Sequence, residues 1–589
     1  MKFRSKFSLI TACLASLLAF NQANAQNADS IRLNQIGFYP NAPKKAIILN
    51  TDRGAFYIET GAGKKVFTGS VSRSVSKAFN GKYTGIANFS ALNTPGTYKL
   101  VIPQKVESYT FSISNNALKS VADGAIKGFY YIRASTELKE QYAGKWYRAA
   151  GHPDDKVLIH SSAASKDRKE GTVISSPGGW YDAGDYNKYI VNSGISTATL
   201  LSLYEDFPAY MQTVKLNIPE SNDKLPDVLN EVLWNLRWML TMQDPADGGV
   251  YHKLTNAAFD GMVMPDQTST PRYVVQKGTA ATLDFAAVMA QASRIFAKYP
   301  QQLPGLADSC QKAAIHAWEW AVKNPTVLYN QDKMNKTKKP QINTGAYGDN
   351  KVDDEFVWAA CELLVTTKNN IYTPYIKLVP VEAITVPTWS DVRTMGYYTL
   401  LKHEDIVLTT SFNELPGLEI DFLKFADNLV AGASDDAYQT VIDKSAKNFG
   451  WGSNSVAANQ GMALILAYKL NGDQKYLDNA LANLDYLLGR NGTGYCYLTG
   501  FGDKQVMHPH HRPSVADGIE EPVPGLLAGG PNPGMQDKIP TASKVPDEAY
   551  IDDDRAYAVN EIAINWNAPF VYLANAIQAI ESVTKKNRK

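Results

Sequence analysis

Residues 226–242 read PDVLNEVLWNLRWMLTM, the clearest helical pattern in the chain. Apolar residues recur there at helical spacing and mark one face: Val228, Val232, Leu236, Met239 and Leu240. Pro226 and Asp227 suit the first helical turn. Similar patterns follow at 117–133, 280–296, 306–322, 354–366, 454–470, 476–488 and 560–582. We therefore predict a large all-α domain, although periodicity alone does not separate a toroid from a bundle or a solenoid.

The sequence before residue 115 has a different texture. Short β-favouring runs alternate with turn residues, at 45–50, 55–59, 65–67, 96–102 and 108–113. This spacing predicts a small β-sandwich. The predicted domains are the sandwich over residues 29–114 and the helical domain over residues 115–585.

The first 25 residues have the features of an export signal. A basic start precedes an apolar run at 7–20 and a small-x-small cleavage site, ANA, at 23–25. The mature chain is then expected to begin at Gln26, in the periplasm or outside the cell. The segment before Cys13 loosely matches a lipoprotein processing site, but the apolar run continues past this cysteine, so an outer-membrane lipoprotein is the second choice.

Charge and cysteine content exclude several classes of protein. The 59 Lys and Arg residues nearly balance the 58 Asp and Glu residues, so there is no electrostatic footprint for nucleic acid or an anionic membrane. A neutral partner is favoured, and an aromatic content of 11% suits a sugar polymer as well as it suits an aromatic core. Without Cys13, the odd set of Cys310, Cys361 and Cys496 implies no disulfide framework.

The segment GGWYDAGDY at 178–186 carries the first candidate catalytic pair. Asp182 and Asp185 are separated only by Ala and Gly, so both carboxylates can point at one small target such as a water. The alternative is a turn, because aspartate and glycine are common in turns for conformational reasons.

The segment YIDDDRAYAVNEIAINWNAP at 550–569 carries the second candidate. Glu561 lies among apolar and aromatic residues, where desolvation would raise its pKa toward that of a general acid. The alternative is helix capping by residues 552–554, with Glu561 as a solvated helical residue. Between the two candidates, HPHHRP at 508–513 fits a rigid hydrogen-bonding loop better than a metal site.

These segments together resemble glycoside hydrolase family 9. One active-site signature of the family is matched at Tyr550, Asp552, Tyr557, Glu561, Ala563, Asn567 and Ala568. The other, which ends in His-x-Arg, is matched at Leu498, Thr499, Gly502, Lys504, Pro509, His510 and Arg512. Cys496 departs from it, standing where Ser, Thr or Val is usual. The segment IRLNQIGF at 31–38 resembles the opening of the family's N-terminal immunoglobulin-like module.

The resemblance implies an (α/α)6 barrel with an open cleft and inversion at the anomeric carbon. It implies that Asp185 is the general base, that Asp182 helps to hold the water and that Glu561 is the general acid. Inversion needs room for the water, so the Asp185 and Glu561 carboxyls should lie about 6.5–9.5 Å apart. The residues that would contact substrate are His510, Arg512, Asp552, His252, Trp451, Trp566, Trp389 and Tyr181. An isolated tryptophan, however, is more often part of a core.

The resemblance also bears on metals. Asp354 and Glu355 match a segment that holds structural calcium in relatives, and oxygen ligands suit this ion, although an acidic helix start would look the same. His152 and His160 lie where some relatives hold zinc, but no cysteine is near them, so no zinc is expected. The chemistry itself should need no cofactor.

The function implied is endo-acting hydrolysis of β-1,4-glucan, with xyloglucan and mixed-linkage glucan as candidate substrates. The alternative within the family is an exo-acting β-glucosidase or glucosaminidase on oligosaccharides. A noncatalytic glycan-binding protein is disfavoured, because a binder has no reason to keep Asp182, Asp185 and Glu561 together. We expect a monomer with no dockerin or cellulose-binding module.

Overall fold

A computed structural model describes residues 29–103 and 106–586. The predicted signal peptide at 1–25, Cys13 included, lies outside the described residues. The three other cysteines are buried free thiols. No helix in the described part of the chain is long and apolar enough to cross a membrane.

The N-terminal module is built of short, mainly antiparallel strands, which confirms the predicted all-β module. They are β1 Ile31–Arg32, β2 Gly37–Phe38, β3 Lys45–Ile48, β4 Gly54–Thr60, β5 Lys65–Arg73, β6 Gly85–Asn88, β7 Gly96–Ile102, β8 Val106–Glu107 and β9 Phe111–Ile113. The order is β1-β3-β6-β5-β4-β7-β9-β2, with β8 on β7 and β2 parallel to β9. The rings of Phe38, Phe89 and Phe111 pack together in its core.

The rest of the chain is mainly helical, as predicted. The helices are α1 Lys119–Tyr131, α2 Glu140–Ala143, α3 Ile190–Asp206, α4 Pro208–Met211, α5 Asp227–Thr241, α6 Thr279–Phe296, α7 Leu306–Lys323, α8 Gln331–Thr337, α9 Asp353–Thr367, α10 Arg393–Lys402, α11 Glu404–Val407, α12 Leu415–Val430, α13 Ser453–Asn471, α14 Gln474–Leu487, α15 Arg512–Ala516, α16 Tyr557–Asn560 and α17 Ile564–Lys586. A small sheet is also present, formed by β10 Val157–Ile159, β11 Val173–Ile174, β12 Lys188–Tyr189, β13 Lys253–Asn256 and β14 Arg272–Val274.

The helices form two concentric layers. Helix α3 packs on α6 and α17, α6 packs on α9, α9 packs on α10, and α13 packs on α17, so these helices form the inner layer. Their residues are buried almost throughout, which is why their sequences are rich in alanine and apolar side chains. Helices α1, α5, α7, α12 and α14 pack outside them. This is the (α/α)6 arrangement that the family resemblance implied.

One predicted helix is interrupted. The pattern at 560–582 suggested a continuous helix, but α16 ends at Asn560 and α17 begins at Ile564. Glu561 is extended, with φ −68° and ψ 154°. Two backbone bridges hold the interruption open, Ala528 to Ile562 and Ala183 to Ala563, so these residues pair with other segments and not with a helical turn.

The two modules contact each other through the segment after β1. The Asn34 side chain donates to Asp485 of α14 at 2.8 Å, and the Gln35 backbone N–H donates to Leu488 O at 3.0 Å. Gly37 has no room for a side chain, because a Cβ would lie 2.4 Å from Ser112 Oγ. Within the IRLNQIGF segment, Asn34 and Gln35 therefore bind the helical domain, and Gly37 permits close packing inside the sandwich.

Candidate active site

A cleft of about 910 Å³ brings most of the predicted site residues together. Those in its wall are Asp182, Asp185, Glu561, His510, Arg512, Trp389, Trp451 and Trp566. Most of them lie on loops that lead into inner-layer helices or in the first turns of those helices. Asp185 precedes α3, Trp389 precedes α10 and Trp451 precedes α13, whereas His510 and Arg512 lie at the start of the short helix α15. The barrel thus presents one set of helix starts to a single cavity.

The two aspartates are held by different partners. Asp182 is buried, and its two carboxylate oxygens accept from Asn192 Nδ2 at 2.8 Å and from the Tyr347 hydroxyl at 2.9 Å. Asp185 accepts from the Asn187 side chain, and the Tyr189 hydroxyl lies 3.4 Å away. Asp182 is thereby fixed in one orientation, and Asp185, which is 6% exposed, reaches the cavity.

The segment that carries Asp182 and Asp185 and the segment that carries Glu561 are joined directly by the backbone. The Ile564 N–H donates to Asp182 O at 2.9 Å, and Ala183 pairs with Ala563. On its other side the Glu561 segment pairs with the loop at 508–513 through His510 and Glu561. Short backbone hydrogen bonds therefore fix the relative positions of Asp185 and Glu561. The predicted carboxyl separation of about 6.5–9.5 Å stays a prediction.

The environment raises the pKa of Glu561 and of Asp182. Burial raises the pKa of Glu561 well above its usual range, and the charges of Asp185 and Asp182 raise it further. Burial and then the neighbouring Asp185 raise the pKa of Asp182 to about 8. The raised pKa favours the protonated form of Glu561, which is the form that proton donation requires.

The loop at 508–513 supplies a rigid support, as its prolines indicated. Arg512 Nη1 donates to Gly184 O at 2.6 Å, between the two aspartates. Its Nε and Nη2 donate to Asp260 O at 3.0 and 2.9 Å. His510 Nδ1 lies 2.6 Å from Asp554 O, and its ring packs on Tyr557. Arg512 lines the cleft and also ties two loops together.

Aromatic rings form two groups in the cleft wall. On one side Trp389 packs edge-on against Tyr347, which packs against Tyr189. On the other side Trp451, which is 47% exposed, lies 5.5 Å from the ring of Tyr557. These surfaces suit the faces of sugar rings. Trp566 is only 9% exposed and contributes its edge beside Gly452 and Gly529.

Three residues predicted to contact substrate lie behind the cavity wall. The ring of His252 is buried and stacked on Tyr329, and its Nε2 lies 2.8 Å from Ala346 O. Burial lowers the pKa of His252 to about 3, so it is neutral. Tyr181 is buried with its hydroxyl 2.9 Å from His152 Nδ1. These two side chains shape the wall from behind.

Asp552 is the third of these residues. Its carboxylate accepts from the backbone N–H groups of Met507 and His508 at 2.8 and 2.9 Å. It also accepts from Asn560 Nδ2 at 3.0 Å. Asp552 therefore connects the loop at 508–513 with the residue that precedes Glu561, which is a supporting position.

Several cleft residues were not singled out by the sequence. Tyr189 and Tyr347 follow no signature, yet both contact the aspartates. Lys253 is buried beneath them, and its Nζ donates to Thr344 Oγ1 at 3.0 Å and Gly345 O at 2.6 Å, which holds the loop before Tyr347. Burial lowers the pKa of Lys253 to about 7, and the charges of Asp185 and Asp182 oppose that decrease. The sequence around Lys253, VYHKLTNA at 250–257, has no pattern that marks this lysine.

The predicted calcium residues begin helix α9, away from the cleft. The Val392 N–H donates to Asp354 Oδ2 at 2.8 Å. Glu355 Oε2, Asp349 Oδ2 and both carboxylate oxygens of the buried Asp284 have no hydrogen-bond partner. Burial raises the pKa of Glu355, and Asp284 and Asp354 raise it further. Carboxyl groups without hydrogen-bond partners are thus clustered at the start of helix α9.

Within residues 29–103 and 106–586, no three His, Cys, Asp or Glu side chains are arranged to hold a metal ion by themselves. The histidines considered for zinc have protein partners. His152 lies against Tyr181, and His160 contacts Ser162 at 2.8 Å and Pro340 O at 2.8 Å.

Comparison with known proteins gives consistent results for both modules. The cellulase N-terminal ig-like domain matches residues 26–107, and glycosyl hydrolase family 9 matches residues 119–574. A xyloglucan-specific endo-beta-1,4-glucanase of Bacteroides ovatus is 48% identical, covering 94% of this chain and 94% of the relative. Endoglucanase D of Acetivibrio thermocellus is 33% identical, covering 93% of this chain and 83% of the relative.

Solved structures agree with the sequence relatives. A Bacteroides ovatus GH9 structure superposes with a TM-score of 0.88 at 45% identity, covering 94% of this chain and 100% of that one. A mutant of a thermostable endoglucanase from Alicyclobacillus acidocaldarius superposes with a TM-score of 0.83 at 32% identity, covering 93% and 99%. With its two carboxylate segments joined across one cleft and a family match that spans the helical domain, the chain belongs to glycosyl hydrolase family 9.

Proposed function

We propose that the protein is an endo-acting, inverting β-1,4-glucanase whose substrate is a soluble branched glucan of the xyloglucan type. The observation that carries the catalytic part is the pairing of the base and acid segments across one cleft. Asp185 enters from the loop before α3, and Glu561 enters from the interruption before α17. Both carboxyls line the cavity, and the raised pKa of Glu561 suits it for proton donation.

The reaction follows from the two roles. Asp185 removes a proton from a water molecule as the water oxygen attacks the anomeric carbon from the face opposite the leaving group. Glu561 gives its proton to the glycosidic oxygen as the bond between that oxygen and the anomeric carbon breaks. One C–O bond forms and one breaks. Because the water attacks from the face opposite the leaving group, the new reducing end has the α configuration. Asp182 orients the water through a carboxyl that is itself held by Asn192 and Tyr347.

The choice of a branched substrate is supported by similarity. The relative named as a xyloglucan-specific endo-beta-1,4-glucanase shares 48% identity over 94% of this chain. Activity on tamarind xyloglucan, barley mixed-linkage glucan, carboxymethylcellulose and cello-oligosaccharides tests the proposal. We expect the highest kcat/KM on xyloglucan, with a rapid fall in viscosity and a ladder of large early products. Release of a single small sugar from one chain end would mean exo action and would contradict the proposal.

We also propose that a calcium ion stabilises the start of helix α9. Calcium takes oxygen ligands in flexible geometry, including carbonyl groups and waters, so it does not require three carboxylates. The unpartnered oxygens of Asp284, Asp349 and Glu355 fit a cation, because buried carboxylates without partners are costly. Asp354 and Glu355 would be its anchors. Its contribution would be to stability and not to the chemical step.

Melting curves test this second proposal. Chelation should lower the melting temperature, and added calcium should restore it, because the ion binds only the folded state. Glu355→Gln should make the protein insensitive to the chelator, whereas Glu561→Gln, in the cleft, should leave the sensitivity intact. An unchanged curve in chelator, together with a higher melting temperature in Asp284→Asn, would mean that these carboxyls share protons and hold no ion.

We also propose that the protein is exported and monomeric. The basic, apolar and small-residue order at the start of the sequence supports cleavage before Gln26. Cell fractionation and N-terminal sequencing of the mature protein test it, and a lipid-modified Cys13 in the membrane fraction would contradict it. Sedimentation analysis tests the monomer.

A further inference from the structure

A loop between β13 and β14 presents exposed apolar side chains beside the catalytic centre. Its apex carries Phe259, which is 50% exposed, and Met262, which is 37% exposed. Phe259 lines the cleft together with Asp185 and Arg512, whereas Met262 does not line it. What distinguishes Phe259 from other exposed apolar side chains is that it lines the catalytic cavity, where a bound ligand would cover its apolar surface.

The loop is held rigidly beneath this apex. The Asp260 side chain accepts from Asn256 Nδ2 at 2.7 Å and from Thr268 Oγ1 at 2.5 Å. The Tyr186 hydroxyl donates to Val263 O at 2.6 Å. The apex residues themselves stay exposed while both ends of the apex are fixed. Phe259 is therefore presented in a set position, which reduces the entropy lost when a ligand packs on it.

Arg512 links this loop to the catalytic base. Its guanidinium group donates to Asp260 O, next to Phe259, and to Gly184 O, next to Asp185. Its charged carbon lies 5.8 Å from the centre of the Phe259 ring. One side chain thus holds the Phe259 loop and the Asp185 segment in a set relation to each other.

The position of Phe259 differs from that of the two aromatic groups described above. The Trp389 and Trp451 groups include Tyr347, which binds Asp182, and Tyr557, which packs on His510, so both groups adjoin side chains that hold the carboxyl segments. Phe259 stands on a separate loop, the one between β13 and β14. A main-chain ring must lie between Asp185 and Glu561, whereas an exposed ring on a separate loop suits a sugar that branches from the main chain.

We propose that Phe259 is a specificity-determining platform that stacks on a side-chain sugar of a branched β-glucan bound in the cleft. The inference rests on the proposed function and deepens it, because it assigns the recognition of branches to one residue. Arg512 is a positioning residue for this platform. The ring face offers contact to a pyranose, and the absence of hydrogen-bonding groups on it permits different branch sugars.

The test compares a branched and a linear substrate. We expect Phe259→Ala to lower kcat/KM on xyloglucan about tenfold, mainly through KM, because a stacking contact of this kind is made in the ground state as well. On linear mixed-linkage glucan the change should stay within about twofold. Phe259→Tyr should retain the activity on both substrates, since it keeps the ring.

Met262→Ala is the matched control, because it removes the other exposed apolar side chain of the same apex and does not line the cleft. Its kinetics should equal those of the unaltered protein, and melting curves of all variants should coincide. Equal losses on both substrates in Phe259→Ala, or no loss on either, would overturn the inference while leaving the glucanase activity established. An unaltered protein that cleaves linear glucan but not xyloglucan would instead refute the proposed substrate, and with it the branch platform.

Discussion

Replacement of Glu561 by glutamine tests the assignment of the general acid. The backbone of residue 561 is held by its bridge to His510 and by the Gly529 N–H, which donates to Glu561 O at 2.8 Å. Glutamine has nearly the same shape, so these contacts should survive the change. The variant should fold and bind glucan but lack the proton that the buried glutamic acid supplies.

The size of the effect follows from the role. General acid catalysis contributes on the order of 10²–10⁴ in rate, which corresponds to about 3–5.5 kcal/mol of transition-state stabilisation. Burial and the charges of Asp185 and Asp182 raise the pKa of Glu561 well above its usual range, so the acid form persists to higher pH than in a free glutamic acid. We expect the loss to be visible at pH 7 and not only in acid.

A leaving group that needs no protonation makes the test specific. On 2,4-dinitrophenyl β-cellobioside the Glu561→Gln variant should retain kcat within about tenfold, since dinitrophenolate departs without a proton. Asp185→Asn is the control, because the base is needed whatever the leaving group, and it should lose activity on both substrates. Near-normal turnover of glucan by Glu561→Gln, or equal losses on both substrates, would refute the acid assignment.

Three further predictions concern stereochemistry, orientation and pH. Proton NMR in the first minutes of hydrolysis should show the α-anomer rising first, and an initial burst of β-anomer would mean that Asp185 acts as a nucleophile. Tyr347→Phe removes the hydroxyl that donates to Asp182 at 2.9 Å, so kcat should fall about tenfold with the melting temperature nearly unchanged. An unaltered kcat would show that this hydrogen bond does not serve catalysis. Asp547 is 1% exposed, its carboxylate oxygens have no partner, and burial raises its pKa from 3.8 to about 7. The folded state therefore holds this proton more tightly than the unfolded state, and stability should fall as pH rises from about 4 to about 7, by at most about 4 kcal/mol. Asp547→Asn should remove that fall in urea unfolding, so a stability gain that is equal at pH 5 and pH 8 would contradict the reasoning.

The sequence predicted the helices with clear periodicity and the site residues that lie in contiguous motifs. Helical periodicity located α5 to within one residue at each end, at Asp227–Thr241 against 226–242. The Asp-Ala-Gly-Asp and Asn-Glu segments identified Asp182, Asp185 and Glu561, which line the cleft, because each motif is contiguous in the chain. Composition and pattern thus sufficed for the class of fold, and the resemblance supplied its closed topology.

Other site residues were beyond such reasoning because tertiary contacts define them. Tyr347 lies in a loop without periodicity. It reaches Asp182 because Lys253 holds that loop through Gly345 O. Phe259 looks like any loop phenylalanine until the bonds of Asp260 show that its position is fixed. His252 gives the opposite case, since the family resemblance implied a cleft residue but its buried ring is stacked on Tyr329.

The interruption before α17 explains why periodicity placed Glu561, the proposed acid, within a helix. Apolar residues on both sides of Glu561 continue a helical pattern, and a helix would have pointed the glutamate along the barrel wall. Pairing of Ile562 with Ala528 and of Ala563 with Ala183 uses the backbone groups that a helical turn would need. The cost of leaving the helix is thus offset by interstrand hydrogen bonds, which also join the acid segment to the base segment. Positioning of Glu561 and Asp185 is therefore a property of backbone pairing, and substitutions of side chains at residues 562 and 563 that keep this pairing should be better tolerated than a proline, which would remove a backbone donor.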